Sequence, residues 1–424
     1  MKIFITGSTG FIGTHLVRRL VQKEHELVCL VRPTSKVDEL EGLGVTLMLG
    51  DVTDKQSLLE GMRGCGWVLN LANVYTLWEK NRDIYRKVNV EGTRNVMECA
   101  LENRVEKIVH VSTVGVWGKP AKWPITEGME VGSERFSEYA KTKYEGDLIA
   151  WDLMRTRGLP LVMIYPAIVC GPGNTRYGGR YVQDLIHKRL PAQAFVGSIK
   201  TFVHVKDVAE AIVRVAQKKD NIGEKYIVGK HMISINEFNK IISEISGTEL
   251  PGLSLPLWLA RLNASILTPL ADLTGRQPLW GLSRDTVSTM AEDCKADGSK
   301  VEKELGITYM SIRQALEDEI HPPKEIQYSY MHRRYSRFRV SKKIMIQPED
   351  MEQKVVLLKD ISRGGLYAET DKPLREGMNV STGFSEGIER FPMVRGKVLR
   401  KTDKGMAVKF VAGGADNIPD LISH

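Results

Sequence analysis

The chain has 424 residues, too many for one ordinary domain and suited to two or three. Its 42% hydrophobic and 26% charged residues are those of a folded, soluble protein with a large buried core, and the formal net charge of +8 suits either anionic partners or an ordinary basic enzyme. The five cysteines, Cys29, Cys65, Cys99, Cys170 and Cys294, are scattered, odd in number and free of any CxxC pair. That usage argues against a disulfide framework and against a structural zinc or other metal site, and it fits a reducing, cytoplasmic setting.

The chain opens with a strand-like apolar run at residues 2–6 that leads straight into glycines, which is not the pattern of a secretory signal. A helical pattern at 14–22 and a strand at 27–31 come next. Further on, a strand at 67–71 precedes a helical stretch at 89–101, and a strand at 107–112 precedes a helix at 138–153 and a strand at 159–164. Strands separated by helices predict βαβ units and an α/β fold with a doubly wound parallel sheet. The β-branched residues Ile3, Ile5, Val28, Val31, Val68, Ile108, Val109 and Val111 fit a sheet covered on both faces. Residues 253–273 come nearest to a membrane span but are broken by Pro256, Arg261, Asn263, Pro269 and Asp272. We read them as a helical lid or an oligomer surface and expect no transmembrane segment. A helix at 311–320 stops at His321-Pro322-Pro323, because two prolines cannot continue it. After a Tyr- and Arg-rich stretch at 327–339, short alternating runs at 355–359, 365–369, 393–399 and 406–411 predict a small antiparallel β-barrel or sandwich. The boundary falls near residue 325, with one domain over 1–320, a linker over 321–331 and a second domain over 332–424.

Gly7-x-x-Gly10-x-x-Gly13 sits between the first strand and a helix. Glycines there permit a tight turn and close approach of backbone to a pyrophosphate, and the helix N-terminus offers unpaired N–H groups to the negative charge. The second strand ends at Val31-Arg32, where an acidic residue would accept from the ribose hydroxyl of NAD. Arg32 instead suits the 2′-phosphate of NADP, so NADP is the favoured cofactor with NAD as the alternative. Asp51 is placed to accept from an adenine amino group or, alternatively, to cap a helix at 53–62.

Tyr139 and Lys143 form a YxxxK pair, which on a helix shares one face. A lysine beside a phenol favours the phenolate, so Tyr139 is expected to act as acid or base near neutrality. Tyr226 and Lys230 match the same spacing but lie in a strand-like run interrupted by glycine. Upstream, Ser112-Thr113 ends a strand and offers a hydroxyl to a substrate oxygen.

In this order the segments Thr6–Gly13, Asn70-Leu71-Ala72, Asn89–Thr93, Val111–Gly118, Tyr139–Lys143, Gly171-Pro172-Gly173 and Phe202–Ala209 resemble the extended short-chain dehydrogenases. They are most like the NAD(P)-dependent epimerase/dehydratase group, nearest its dihydroflavonol-reductase-like and sugar-epimerase-like branches, over residues 1–318. The resemblance implies a Rossmann-type domain with a small substrate-binding lobe. It implies an oxidoreductase or an epimerase that exchanges hydride with a carbonyl or alcohol carbon of a small substrate, a sugar-like one among the options, and a homodimer. It also implies proton transfer by Tyr139, cofactor ribose binding by Lys143, a catalytic hydroxyl on Thr113, and a cofactor lying against Phe11, Ile12, Val52, Ala72 and Pro166. Asn89 would support the site or, more simply, cap a helix. Asn73 and Tyr165 depart from the pattern at positions near cofactor or substrate. His204 is read as structural.

Arg333-Arg334-x-x-Arg337 followed by Asp360-x-Ser362-x-x-Gly365 pairs an RxxxR with a DxSxxG. Together they resemble the PilZ domain, the small barrel that receives cyclic di-GMP, over residues 331–412. The resemblance implies that the arginine forks would hold phosphates and guanine edges, that Asp360 and Ser362 would hydrogen-bond a guanine, and that Gly365 would let the chain turn closely. The combined expectation is an NAD(P)-dependent enzyme regulated by cyclic di-GMP. The alternative is a non-catalytic redox or metabolite sensor that signals through the barrel. No nucleic-acid motif accompanies the basic charge.

Overall fold

The first strands carry apolar residues on both faces: Ile3, Phe4 and Ile5 are buried together, as are Val28, Cys29 and Leu30, and Ile108 and Val109. A strand without alternation is stable only between two layers, and the fold supplies them. The computed structural model describes residues 1–322 except 41, and within the C-terminal region residues 337–348, 352, 354–362, 365–384, 394–402 and 405–410. Seven strands, β1 (Lys2–Thr6), β2 (Glu26–Val31), β3 (Thr46–Leu49), β4 (Trp67–Asn70), β5 (Lys107–Val111), β6 (Leu161–Pro166) and β7 (Lys225–Val228), pair in parallel in the order β7-β6-β5-β4-β1-β2-β3. The order reverses between β1 and β4, and at such a switch point the strand ends leave a crevice for a ligand.

Helix α1 (Phe11–Val21) begins three residues before the periodic pattern suggested, because Gly10 is its N-cap and the turn after β1 is that short. It buries Leu16, Val17 and Leu20 on the sheet. Helix α2 (Glu138–Arg157) is capped by Ser137, which accepts from Ala140 N, and ends on Gly158 at φ 70°. A smaller lobe follows. The strands Ile168–Cys170, Ile199–His204 and His231–Ser234 form a three-stranded sheet, packed by Val182, Leu185, Phe202, Phe238 and Ile242 as a second apolar core. Helix α3 (Leu257–Thr274) belongs to this lobe.

The C-terminal region holds six antiparallel strands, β8 (Arg337–Pro348), β9 (Lys354–Ser362), β10 (Gly365–Glu369), β11 (Asn379–Phe384), β12 (Val394–Thr402) and β13 (Gly405–Phe410). They pair in the order β8-β9-β10-β13-β12-β11, and β11 pairs back onto β8, so the ring of pairings closes as in a barrel. Ile346, Val356, Leu366, Ala368, Val398 and Val408 are buried within it. The alternation rule passed over β8 because its register shifts between Arg339 and Lys342, which breaks the period of two. The start of β8 also pairs in parallel with the edge strand β3, Arg337–Arg339 against Thr46–Met48, so the two sheets are continuous.

Leu69 lies at the centre of the parallel sheet, in register with Ile5 and Val109 and fully buried. Leu69→Ala is expected to destabilise the chain by about 3 kcal/mol through lost burial and the cavity left behind, read as a lower urea midpoint.

Candidate active site

The glycine turn is shaped by backbone approaching backbone. Gly7 has φ 69°, and a Cβ there would stand 2.7 Å from the Leu71 carbonyl carbon. A Cβ on Gly13 would stand 2.1 Å from the Gly7 carbonyl oxygen. Gly10 N donates to Gly7 O at 3.0 Å, and Thr14 N donates to Gly10 O at 2.9 Å. From the other side of the crevice, Thr6 Oγ1 donates to Asn70 Oδ1 at 2.6 Å and accepts from Ala72 N at 3.1 Å. The first turn of α1, Phe11 and Ile12 included, therefore faces a gap lined by Ala72, Val52 and Pro166, all on the wall of one cavity of about 680 Å³. A pyrophosphate fits such a bare-backbone cradle at a helix N-terminus.

Arg32 is exposed at the rim of this cavity. Its backbone N donates to Ser35 Oγ at 3.1 Å. Asp51 Oδ1 accepts from Thr53 N at 2.9 Å and from Thr53 Oγ1 at 2.7 Å. Asp51 thus closes a local turn, while Asp54 caps the helix Lys55–Met62 by accepting from Gln56 N. The helix-cap alternative for Asp51 is corrected accordingly, because capping passes to the residue directly before the helix.

Tyr139 and Lys143 lie one turn apart on α2 and both are buried. Thr113 heads a 3₁₀ turn, accepts from Gly115 N at 3.2 Å, and its hydroxyl faces the Tyr139 phenol, whose pKa it draws down. Lys143 Nζ donates to Val111 O at 2.9 Å. The expectation that Lys143 lowers the Tyr139 pKa is corrected here. Burial, and next the neighbouring Tyr75, push the phenol well above its usual range, and only the Thr113 hydrogen bond pulls the other way. Tyr75 packs edge-on against Tyr139 at 5.1 Å between ring centres. Burial lowers Lys143 to about 8, with the nearby Asp147 acting in the raising direction.

Beneath this pair lies a buried polar set. Ser112 Oγ donates to Asp147 Oδ2 at 2.7 Å, and His110 Nε2 lies 3.4 Å from Asp147 Oδ1. Burial, then the charge of Lys143, hold His110 down to about 4, so it is neutral at pH 7, with Asn70 Nδ2 2.9 Å from its Nδ1. Asn89 does not cap a helix. It sits inside a π-helical stretch, Arg86–Gly92, where its Oδ1 accepts from Val74 N at 2.8 Å and its Nδ2 donates to Thr142 Oγ1 at 3.1 Å. The wider turn ties the Val74 loop to α2, as π-bulges at functional sites do. Asn73 lines the cavity, whereas Tyr165 is buried edge-on against Trp117 and does not line it. The position near cofactor or substrate expected for Tyr165 is corrected on that ground. His204 caps the helix Val205–Gln217 and meets Asp318 Oδ2 at 3.2 Å.

In the C-terminal motif, Arg333 and Arg334 lie outside the described residues. The backbone register sets Phe338 opposite Ile361 and Ser362 opposite Gly365, which brings Arg337, Asp360, Ser362 and Gly365 to one corner of β8, β9 and β10.

Residues 3–229 match the model of the NAD dependent epimerase/dehydratase family. The chain belongs to this family. Residues 331–423 match the PilZ domain. A relative named "Putative dihydroflavonol 4-reductase" in Synechocystis is 31% identical over 329 residues, 75% of this chain and 93% of that one. "Sterol demethylase protein B" of Methylococcus capsulatus is 29% identical over 325 residues, 76% of this chain and 97% of that one. The crystal structure of the protein gox2253 superposes with a TM-score of 0.63 at 31% identity, over 75% of this chain and 96% of that one. The protein is therefore an epimerase/dehydratase-family oxidoreductase carrying a C-terminal PilZ domain.

The family motifs account for the cofactor half of the cavity, and the other half escaped the sequence reading. Tyr75, Ile84, Phe136, Tyr177, Phe195, Phe202, Trp280 and Met290 line it, so its wall is mostly apolar and aromatic. These residues come from five separate stretches of chain with no shared spacing, and no sequence pattern gathers them. In this family member the backbone cradle leaves no space for one added carbon. Gly13→Ala is expected to weaken dinucleotide binding by about tenfold or more with the fold retained, as measured by titration calorimetry with far-ultraviolet dichroism as control.

Proposed function

We propose that the enzyme reduces the carbonyl group of an apolar, ring-containing substrate at the expense of NADPH, in the cytoplasm, under control of cyclic di-GMP. The observation that carries the reading is the Thr113–Tyr139 pair at the wall of a mostly apolar cavity that also contains the glycine cradle. A nicotinamide cofactor supplies the hydride to the carbonyl carbon. Tyr139 holds its proton at neutral pH, because burial raises its pKa, and so begins as an acid able to protonate the carbonyl oxygen. Thr113 donates to the same oxygen, and Lys143 on the same helix face contributes positive charge where negative charge develops. Arg32 at the rim supports NADP over NAD, since it offers a cation and no carboxylate to the ribose. The apolar wall favours a lipophilic substrate over the sugar-like one the resemblance implied, and the names of the dihydroflavonol and sterol relatives point the same way.

Tyr139→Phe is expected to lower turnover of NADPH with apolar ketones by about 100-fold or more while leaving cofactor binding intact. A chain acting as a sensor would lose neither. The kcat/KM for reduction is also expected to fall as pH rises past about 8, where Lys143 loses its charge, and this limb should leave the accessible range in Lys143→Arg. A limb unmoved by that substitution would reassign it to another group.

Control by cyclic di-GMP is supported by the backbone corner that gathers Arg337, Asp360, Ser362 and Gly365, and by the parallel pairing of Arg337–Arg339 with β3. Strand β3 leads directly into Gly50-Asp51 on the cavity wall. Ligand contact at Arg337 is thus positioned to bias the edge of the cofactor site. Titration of cyclic di-GMP into the full chain should show an affinity that changes with saturating NADPH, because linkage is reciprocal. Arg333→Ala with Arg337→Ala should abolish the binding.

A further inference from the structure

Helix α3 is patterned inside out. Its inner face is made of small residues: Ala260, Ala264, Thr268 and Ala271 are buried. Its outer face carries Trp258, Leu262, Ile266, Leu270 and Leu273 at spacings of four and three, which is one continuous stripe. These side chains are 67%, 50%, 60%, 52% and 82% exposed, and Leu253, Leu279 and Trp280 beside them are 71%, 56% and 44% exposed. Single exposed apolar residues are ordinary, but five along one face of a helix mark a surface that something covers.

The ionisable groups around the stripe say what covers it. Arg261, Arg276 and Arg284 are exposed on or next to α3, and the Lys80 ammonium lies beside Gly275. The helix carries a single acid, Asp272, whose carboxylate accepts from the Trp78 indole at 2.8 Å. A second copy of this face, turned onto itself, would set like charges opposite one another. An anionic bilayer meets both parts: apolar side chains enter the acyl boundary, arginine and lysine meet the headgroups, and Trp258 and Trp280 suit the interface between them. No helix among the described residues is long and apolar enough to cross a membrane, so the contact lies in the interfacial plane.

We infer that the outer face of α3 docks the protein on an anionic lipid bilayer. The helix is also a wall of the substrate half of the cavity: Asn263 lines it, and Ala260 and Ala264 pack with Leu282, Phe195 and Leu255, three further lining residues. Docking therefore sets the cavity beside the lipid, although the docking itself is independent of the reaction proposed above.

The test is sedimentation of the full chain with vesicles of phosphatidylcholine and phosphatidylglycerol, against phosphatidylcholine alone. The chain should bind the anionic vesicles. The triple variant Leu262→Gln, Ile266→Gln, Leu270→Gln should lose at least about tenfold in partitioning, with its melting temperature and its NADPH affinity unchanged. Failure of the full chain to bind, or equal binding by the variant, would overturn the inference. So would a wild-type oligomer that the same triple variant dissociates, which would assign the face to a second copy of the chain.

Discussion

The organisation of this protein depends on the contact of bare backbone at Gly7. Positive φ at that residue turns the chain directly off β1, and the absence of a Cβ lets the turn lie against Leu71 at the end of β4. Gly13 then lets α1 close on the same turn. Because β1 and β4 flank the point where the strand order reverses, this one close approach both opens the crevice and aims a helix N-terminus into it. The rest of the cavity wall is arranged around the crevice, with Asp51 and Arg32 among its lining residues together with Thr113 and Tyr139.

The reacting end is held by burial as much as by charge. A buried carboxylate, Asp147, accepts from Ser112 on one oxygen, its other oxygen faces a neutral His110 at 3.4 Å without a hydrogen bond, and the Lys143 ammonium is bound to the end of β5. The same burial raises the Tyr139 phenol, so its proton is available for donation. Apolar and aromatic side chains form most of the wall around this pair.

The C-terminal domain is not an independent appendage in the backbone pairing. Its first strand continues the edge of the parallel sheet at β3, which both protects an open edge and lays the arginine-bearing segment beside the strand that runs to Asp51.

Much of this was legible without coordinates. Glycine spacing after an apolar run, a YxxxK on a helical pattern and hydroxyls at a strand end are local signals, and local signals survive in a sequence because the chemistry demands given residue types at given separations. Thus the parallel sheet, the cofactor end of the site and the change to short antiparallel strands could be read in chain order. Other features were decided only when distant segments met. The shift of the Tyr139 pKa depends on Tyr75 and on burial, neither of which is written at residues 139–143. Asp147 and His110 became partners only through packing of α2 on β5. Strand β8 was hidden by the bulge in its own register. The breaks in residues 253–273 were visible, but which face of α3 is turned outward was settled by the small side chains that let it pack closely on the lobe. A sequence determines the groups available and their local geometry, whereas solvent exposure, and with it charge state and surface character, is a property of the assembled fold.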